Sequence, residues 1–324
     1  MTGVQTCALP IWLLPSYSWS NYTYYFATPT GNGVWEPDAT FDIVAVGAQG
    51  ADHFVTGEGD DILFGNVGND ILVPAGGDDS VHGGDGDDAI HTGTGHDTLN
   101  GGNGDDTLTL FKEEDAGWLV DLDGGYGLQL VGDIFRGGHL NTAEIRNIEN
   151  VHGSSGDDTI RGDDGANELT DGGSNFFRDN DFIEGRGGHD TITSSGGSDT
   201  ISGGAGNDRI VVREYANDHS IAGGEGTDVF EFRDHSAQSG RIATIEDFDI
   251  YEYDRIQIDS DFVWNEFGHS EYEVFAQKTF WYDQFEDVVT LYFDRNGDAV
   301  SDYTIDVVMQ GGIDFHHAID MIYA

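Results

Sequence analysis

The sequence predicts an all-β protein: a parallel solenoid of short strands, wound in two blocks and closed at its C-terminal end by antiparallel strands. Three observations carry this prediction. Seven nine-residue units run without a gap from Gly47 to Thr109, the first reading GAQGADHFV and the last GGNGDDTLT. Each unit keeps glycine at its fourth position, aspartate at its sixth and a large apolar residue at its eighth. Composition agrees: 48 of 324 residues are glycine while Lys and Arg together number 13, which leaves little from which to build helices.

Taken from the N-terminus, residues 1–11, MTGVQTCALPI, read as the translation of a sequencing-adapter oligonucleotide rather than as native protein. On that reading Met1 is not the natural start, the single cysteine Cys7 is not native, and the chain is a fragment whose gene continues upstream. The apolar stretch Ala8–Leu14 lacks the length and the basic start of a signal peptide. Residues 12–46, rich in Trp, Tyr and Phe, are read as the tail of an upstream domain plus a strand, Phe41–Val46, covering the open first coil.

In the block 47–109, the first six residues of each unit hold too much Gly and Asp for strand or helix. They suit tight turns that need positive φ. The last three suit a very short strand with one inward side chain, in turn Phe54, Leu63, Leu72, Val81, Ile90, Leu99 and Leu108. One unit then makes a turn and a strand, two make a coil, and stacked coils set each turn above the turn two units earlier. The position-six residues Asp52, Asp61, Asp70, Asp79, Asp88, Asp97 and Asp106 face one another, beside carbonyls that the turns leave unpaired. Carboxylate plus backbone C=O is the hard-oxygen set that Ca2+ prefers. One inward side chain per nine residues falls short of the entropy of ordering them. Facing carboxylates also repel, so the block is expected to fold only as it binds several Ca2+ ions.

This pattern resembles the repeats-in-toxin (hemolysin-type) calcium-binding nonapeptide-repeat proteins. The resemblance implies a parallel β-roll that folds outside the bacterial cell after export by type I secretion machinery. It further implies that the position-six aspartates and turn carbonyls of units n and n+2 share one Ca2+. Asp52 would pair with Asp70, Asp61 with Asp79, and so on to Asp88 with Asp106, giving five sites in this block.

Residues 110–152 break the period and resemble the spacer that joins repeat blocks in that family. Within them Trp118–Leu122 and Gly127–Val131 read as strands around the turn 123–125. The second block, 153–231, is less regular. Its position six holds Asp158, Asp181, Asp190, Asp199, Asp208 and Asp228, but Asn167 and His219 interrupt the series, beside insertions. Only the run Phe176–Val211 keeps a clean register, yet Ile160, Leu169, Ile183, Ile192, Ile201, Ile210, Ile221 and Phe230 hold the inward position throughout. The solenoid should therefore persist even where the calcium does not.

Residues 232–324 are read as a C-terminal cap and secretion-signal region. Ile242–Asp249 followed by Asp254–Ile258 resembles the cap of serralysin-type secreted proteases. Val288–Phe293 and Tyr303–Met309 read as a hairpin. The loop Asp294–Asp298 with Asp302 reads equally as a further Ca2+ site or a plain acidic turn. His316-His317 reads as a surface pair, and Asp320–Ala324 has the character of a type I export signal.

With 61 Asp and Glu, the formal net charge is −48, which excludes nucleic acid as a partner and disfavours anionic membranes. No transmembrane segment is expected. The chain holds neither HExxH nor GxSxG, so no catalytic residue is assigned. Two functions fit. One is a secreted calcium-binding β-roll with a structural or adhesive role. The other is the export and folding region of a larger secreted hydrolase, a serralysin-like metalloprotease or a lipase, whose catalytic domain lies upstream.

Overall fold

The computed structural model describes residues 23–26, 34–35, 40, 42–110, 116–131, 139–172, 179–213, 218–233, 240–249, 251–258, 263–264, 273–280, 287–294 and 303–309. Every helix or strand among them is a β-strand. The chain divides into two compact units, Met1–His152 and Gly153–Ala324.

In the first unit the repeats wind into a parallel β-solenoid with one strand per nonapeptide. Alternate units supply alternate sheets. One sheet stacks Ile43–Val46, Ile62–Val67, Ser80–Asp85 and His96–Asn103, and the other stacks His53–Val55, Ile71–Val73, Ala89–His91 and Thr107–Thr109. The register places Leu63 on Val81 on Leu99 in the first sheet, and Phe54 on Leu72 on Ile90 on Leu108 in the second. These side chains meet between the sheets and are almost wholly buried. Single inward residues suffice because the partner sheet supplies the other half of a core one side chain deep. Leu99→Ala would open a cavity that the two flanking rungs cannot collapse into. It is expected to lower stability in saturating calcium by about 2–5 kcal/mol, read from denaturant midpoints.

The segment after the first block is more than a connector. Trp118–Asp121 and Tyr126–Val131 form an antiparallel hairpin, as their alternation predicts, and Tyr126–Val131 pairs antiparallel with His139–Arg146. His139–Arg146 then returns parallel to His96–Asn103, and Asn150–His152 returns parallel to Thr107–Thr109, so the solenoid gains another coil after a long excursion. Ile145 and Val151 take the inward positions. Toward the N-terminus, Ile43–Val46 is not the last rung. Thr23–Phe26 lies parallel on it and Val34–Trp35 lies parallel on His53–Val55, continuing the coil by pairing rather than covering it.

The second unit repeats the architecture. Ile160, Ile183, Ile201, Ile221 and Ile245 stack in one parallel sheet, and Leu169, Ile192, Ile210, Phe230 and Ile256 in the other. Within residues 232–324 the parallel winding goes on before the antiparallel strands begin. Gly240–Phe248 and Arg255–Ile258 are parallel rungs, because their inward Ile245 and Ile256 keep the core columns intact. Antiparallel pairing begins only with Glu273–Phe280, Asp287–Asp294 and Tyr303–Met309, the last lying parallel on Gly240–Phe248. Arg241 ties this junction together, donating to both Asp218 and Asp306. The acidic loop after Asp294, the His316-His317 pair, the C-terminal export signal and Phe41 lie outside the described residues. Among the described residues no helix is long and apolar enough to cross a membrane.

Candidate metal centre

Stacking brings the position-six aspartates into columns. In each column the backbone N–H of one aspartate donates to Oδ1 of the aspartate one coil on. Asp52 donates to Asp70, Asp61 to Asp79, Asp70 to Asp88, Asp79 to Asp97 and Asp88 to Asp106, at 2.6–3.1 Å. The second unit continues with Asp158 to Asp181, Asp181 to Asp199, Asp190 to Asp208 and Asp208 to Asp228, at 2.6–2.9 Å. All thirteen aspartates singled out in the sequence are buried.

Asp61 and Asp190 accept in the same way from the N–H groups of Ile43 and Asn167, while Asp52 accepts from Ala48 in its own turn, and the fate of the remaining oxygen divides the set. Asp97 and Asp158 spend theirs on N–H groups of their own turns, those of Gly93 and Ser154, and Asp199 accepts from the Ser194 hydroxyl. In Asp52, Asp61, Asp70, Asp79, Asp88, Asp106, Asp181, Asp190, Asp208 and Asp228 one oxygen is buried without any hydrogen-bond partner. Leaving a buried ionised oxygen unsatisfied is costly, so each such atom calls for a ligand.

Glycine at position one gives that ligand its room. A Cβ built on Gly83 would fall on both Asp88 Oδ2 and the Gly101 carbonyl, and one on Gly65 would fall on Asp70 Oδ2 and the Gly83 carbonyl. The same coincidence recurs at Gly185 and Gly203. At these four turns carboxylate and carbonyl oxygens thus converge on one point, the donor set and cradle that a calcium ion fits.

Without the ion, burial raises the carboxyls of Asp61, Asp79, Asp88, Asp106, Asp181 and Asp228 well above the usual aspartate range. Desolvation is the largest cause and neighbouring carboxylates add to it. Asp79 is pushed up to about 8 and Asp181 to about 9, while Asp61, Asp88, Asp106 and Asp228 rise to about 6. A group whose folded pKa is raised favours the fold below its unfolded value and withdraws that support as pH rises through the folded value. The calcium-free coil is therefore disfavoured at neutral pH, and calcium competes with protons for the same oxygens. Between pH 8 and pH 5.5 the calcium midpoint of the sheet signal in circular dichroism is expected to climb steadily. A midpoint independent of pH would remove the buried carboxylates from the binding step.

Several partners escaped the sequence reading. Glu149 accepts the Asp106 N–H and Asp254 accepts the Asp228 N–H, at 2.9 Å each, so both extend the position-six columns from outside the nonapeptide register. At the two interruptions the stitching survives without charge. Asp199 donates its N–H to His219 Nδ1, and Asn167 donates its own N–H to Asp190 Oδ1 at 2.8 Å. A second ladder runs the opposite way along position five. Asp60, Asp78 and His96 donate their N–H groups back to Asp42, Asp60 and Asp78, and Asn207 donates to His189 Nδ1. The signal was present in the sequence as a run of Asp, Asn, His and Ser at that position.

The family model of the RTX calcium-binding nonapeptide repeat matches the chain four times, over residues 46–81, 74–108, 148–175 and 177–210. A search of curated proteins finds no match. Among solved structures, the extracellular lipase LipA from Serratia marcescens is similar at 16% identity and a TM-score of 0.22, over 93% of this chain and 42% of that one. The chain therefore spans less than half the length of that lipase. The matched segments are RTX calcium-binding repeats, and they are wound as a parallel β-roll.

Proposed function

We propose that this RTX-repeat chain is a secreted calcium-responsive scaffold, exported unfolded by type I secretion machinery and wound into its β-roll by calcium outside the cell. The columns of buried aspartates with one unsatisfied oxygen apiece carry this reading. In a compartment poor in calcium, a net charge of −48 and repelling turns keep the chain expanded. Where calcium is millimolar, each ion joins adjacent coils, so that binding and folding become one event. The thirteen position-six aspartates, from Asp52 to Asp228, are the ligands in this proposal, together with the position-one carbonyls. The folded product serves a structural or adhesive role.

The test is a calcium titration of the Asp79→Ala and Asp88→Ala variants, followed by circular dichroism. Each is expected to move the midpoint to higher calcium, several-fold, and to flatten the cooperativity, because a missing site uncouples the coils on either side. Unchanged curves would mean that these turns hold no ion.

A second reading is favoured by one observation, the resemblance of Ile242–Ile258 to the cap of serralysin-type proteases. On it the chain is the folding and export region of a larger secreted hydrolase. Sequencing the native locus upstream of the Trp12 codon decides between them: a domain carrying HExxH or GxSxG supports the hydrolase, and further repeats support the scaffold.

A further inference from the structure

In one turn of the second unit aspartate takes position four, which is glycine in the regular units, and aspartate also stands at position one. The N–H of Asp171 donates to the Thr193 carbonyl at 3.2 Å, the bond that Gly153 and Gly162 make to Thr170 and Glu184. Asp171 therefore stands at position one, a place held by the uncharged Gly153 one coil before and Ser194 one coil on. Asp179 stands two residues before Asp181, at position four, where the regular units hold glycine again.

The consequence is a concentration of charge found at no regular turn. One carboxylate oxygen each from Asp171, Asp181 and Asp199 lies within 4.8 Å of the others, and all three residues are buried. Two Ca–O bonds of about 2.3–2.6 Å span that distance. Asp171 is held by the Ser195 N–H, and Asp199 by the Ser194 hydroxyl, so these two carboxylates are oriented before any ion arrives. The remaining oxygens point to a ligand. Oδ2 of Asp181 and both oxygens of Asp179 are buried without a hydrogen-bond partner, in residues 3% and 4% exposed. Asp179 also lies close enough to Asp199 and Asp158 to feel their charge.

We propose that Asp171, Asp179, Asp181 and Asp199 form a separate calcium site, richer in carboxylate than the repeat cradles, which loads before them and starts the winding of the second unit. The proposal rests on the reading of the chain as a calcium-driven coil. Its physical reason is ligand charge. The regular cradles offer carboxylates diluted by neutral carbonyls, whereas here Asp171 joins two position-six carboxylates within 4.8 Å and Asp179 lies near enough to feel the charge of Asp199. Affinity for Ca2+ rises with the number of charged ligands and with their rigidity, and Coulomb attraction is strongest in a buried, weakly screened site.

The experiment is equilibrium dialysis of the full chain with radioactive calcium, at free concentrations clamped in steps from below the folding midpoint to saturation. The wild-type chain is expected to hold one ion per chain at a plateau at least tenfold below the midpoint of the remaining uptake. Asp171→Asn and Asp179→Asn should each remove the plateau, and Asp88→Asn should subtract from the later phase alone. Hydrogen exchange at the wild-type plateau should show amides of residues 153–199 protected before those of the first unit, a readout that needs no variant to fold. Uptake in a single phase, a plateau that survives both substitutions, or first protection elsewhere would overturn the proposal while leaving calcium-driven folding intact. No uptake at millimolar calcium would overturn both.

Discussion

Addition of a calcium chelator is expected to abolish the far-UV sheet signal of the folded protein, and excess calcium to restore it. The reason lies in how little else holds each coil. A nonapeptide buries one large inward side chain, such as Leu72 or Ile90, and sets an aspartate above the aspartate of the next coil. Ten of those aspartates keep a buried oxygen without a partner. An ion present at 100 times its dissociation constant stabilises the folded state by about 2.7 kcal/mol. A few coupled sites therefore match the whole stability of an ordinary domain, about 5–15 kcal/mol. Chelation removes them together and leaves the desolvated carboxylates facing one another. Retention of the full sheet signal in chelator would show that core packing and the two side-chain ladders suffice alone, and calcium would then be an accessory.

Gly83→Ala is expected both to destabilise the first unit and to remove a calcium site. The new Cβ would overlap Asp88 Oδ2 and the Gly101 carbonyl, both inside van der Waals contact. Neither can yield cheaply. Asp88 is anchored through Oδ1 to the Asp70 N–H at 2.8 Å, and Gly101 belongs to the strand His96–Asn103, paired on both sides. The overlap should cost about 1–3 kcal/mol as overpacking and should close the cradle as well. Calcium titration should therefore show a higher midpoint and one ion fewer at saturation. Thr98→Ala, on the outward side of the same sheet, should stay within about 0.5 kcal/mol of the parent. If Gly83→Ala bound as many ions as the parent, position one would not line the sites.

Position four is demanding for a related reason. Gly86 adopts a φ of +129°, and a Cβ there would meet the Gly68 carbonyl of the coil before. At Gly68, Gly77, Gly86, Gly95 and Gly104 the fourth glycine is thus a packing requirement between coils as well as a turn requirement within one. Asp179, standing in that place without the regular turn around it, marks where the winding departs from its period.

Much of this was legible in the residues alone. The all-β solenoid, the inward column from Phe54 to Leu108 and on from Ile160 to Phe230, and the position-six aspartates all repeat at fixed spacing. A fixed spacing maps directly onto one face of a stacked coil. The hairpin after the first block followed from alternation of apolar residues around a glycine turn. What spacing could not supply was membership in a column by residues outside the period. Glu149 reaches the Asp106 N–H after the excursion of residues 110–138, and Asp254 reaches Asp228 across a gap of 26 residues. Stacking asks only that an acceptor stand at a given height above a given N–H, whatever length of chain brings it there. For the same reason the cap began later than its composition suggested, since Ile245 and Ile256 fit the existing core columns and were taken into the coil. The sequence by itself therefore determined the coil, its core and the aspartate columns that recur. Only the tertiary structure decided where the coil continues through irregular chain and which aspartates, Asp171 and Asp179 among them, gather in one turn, because those depend on closure of the coil in space and not on distance along the chain.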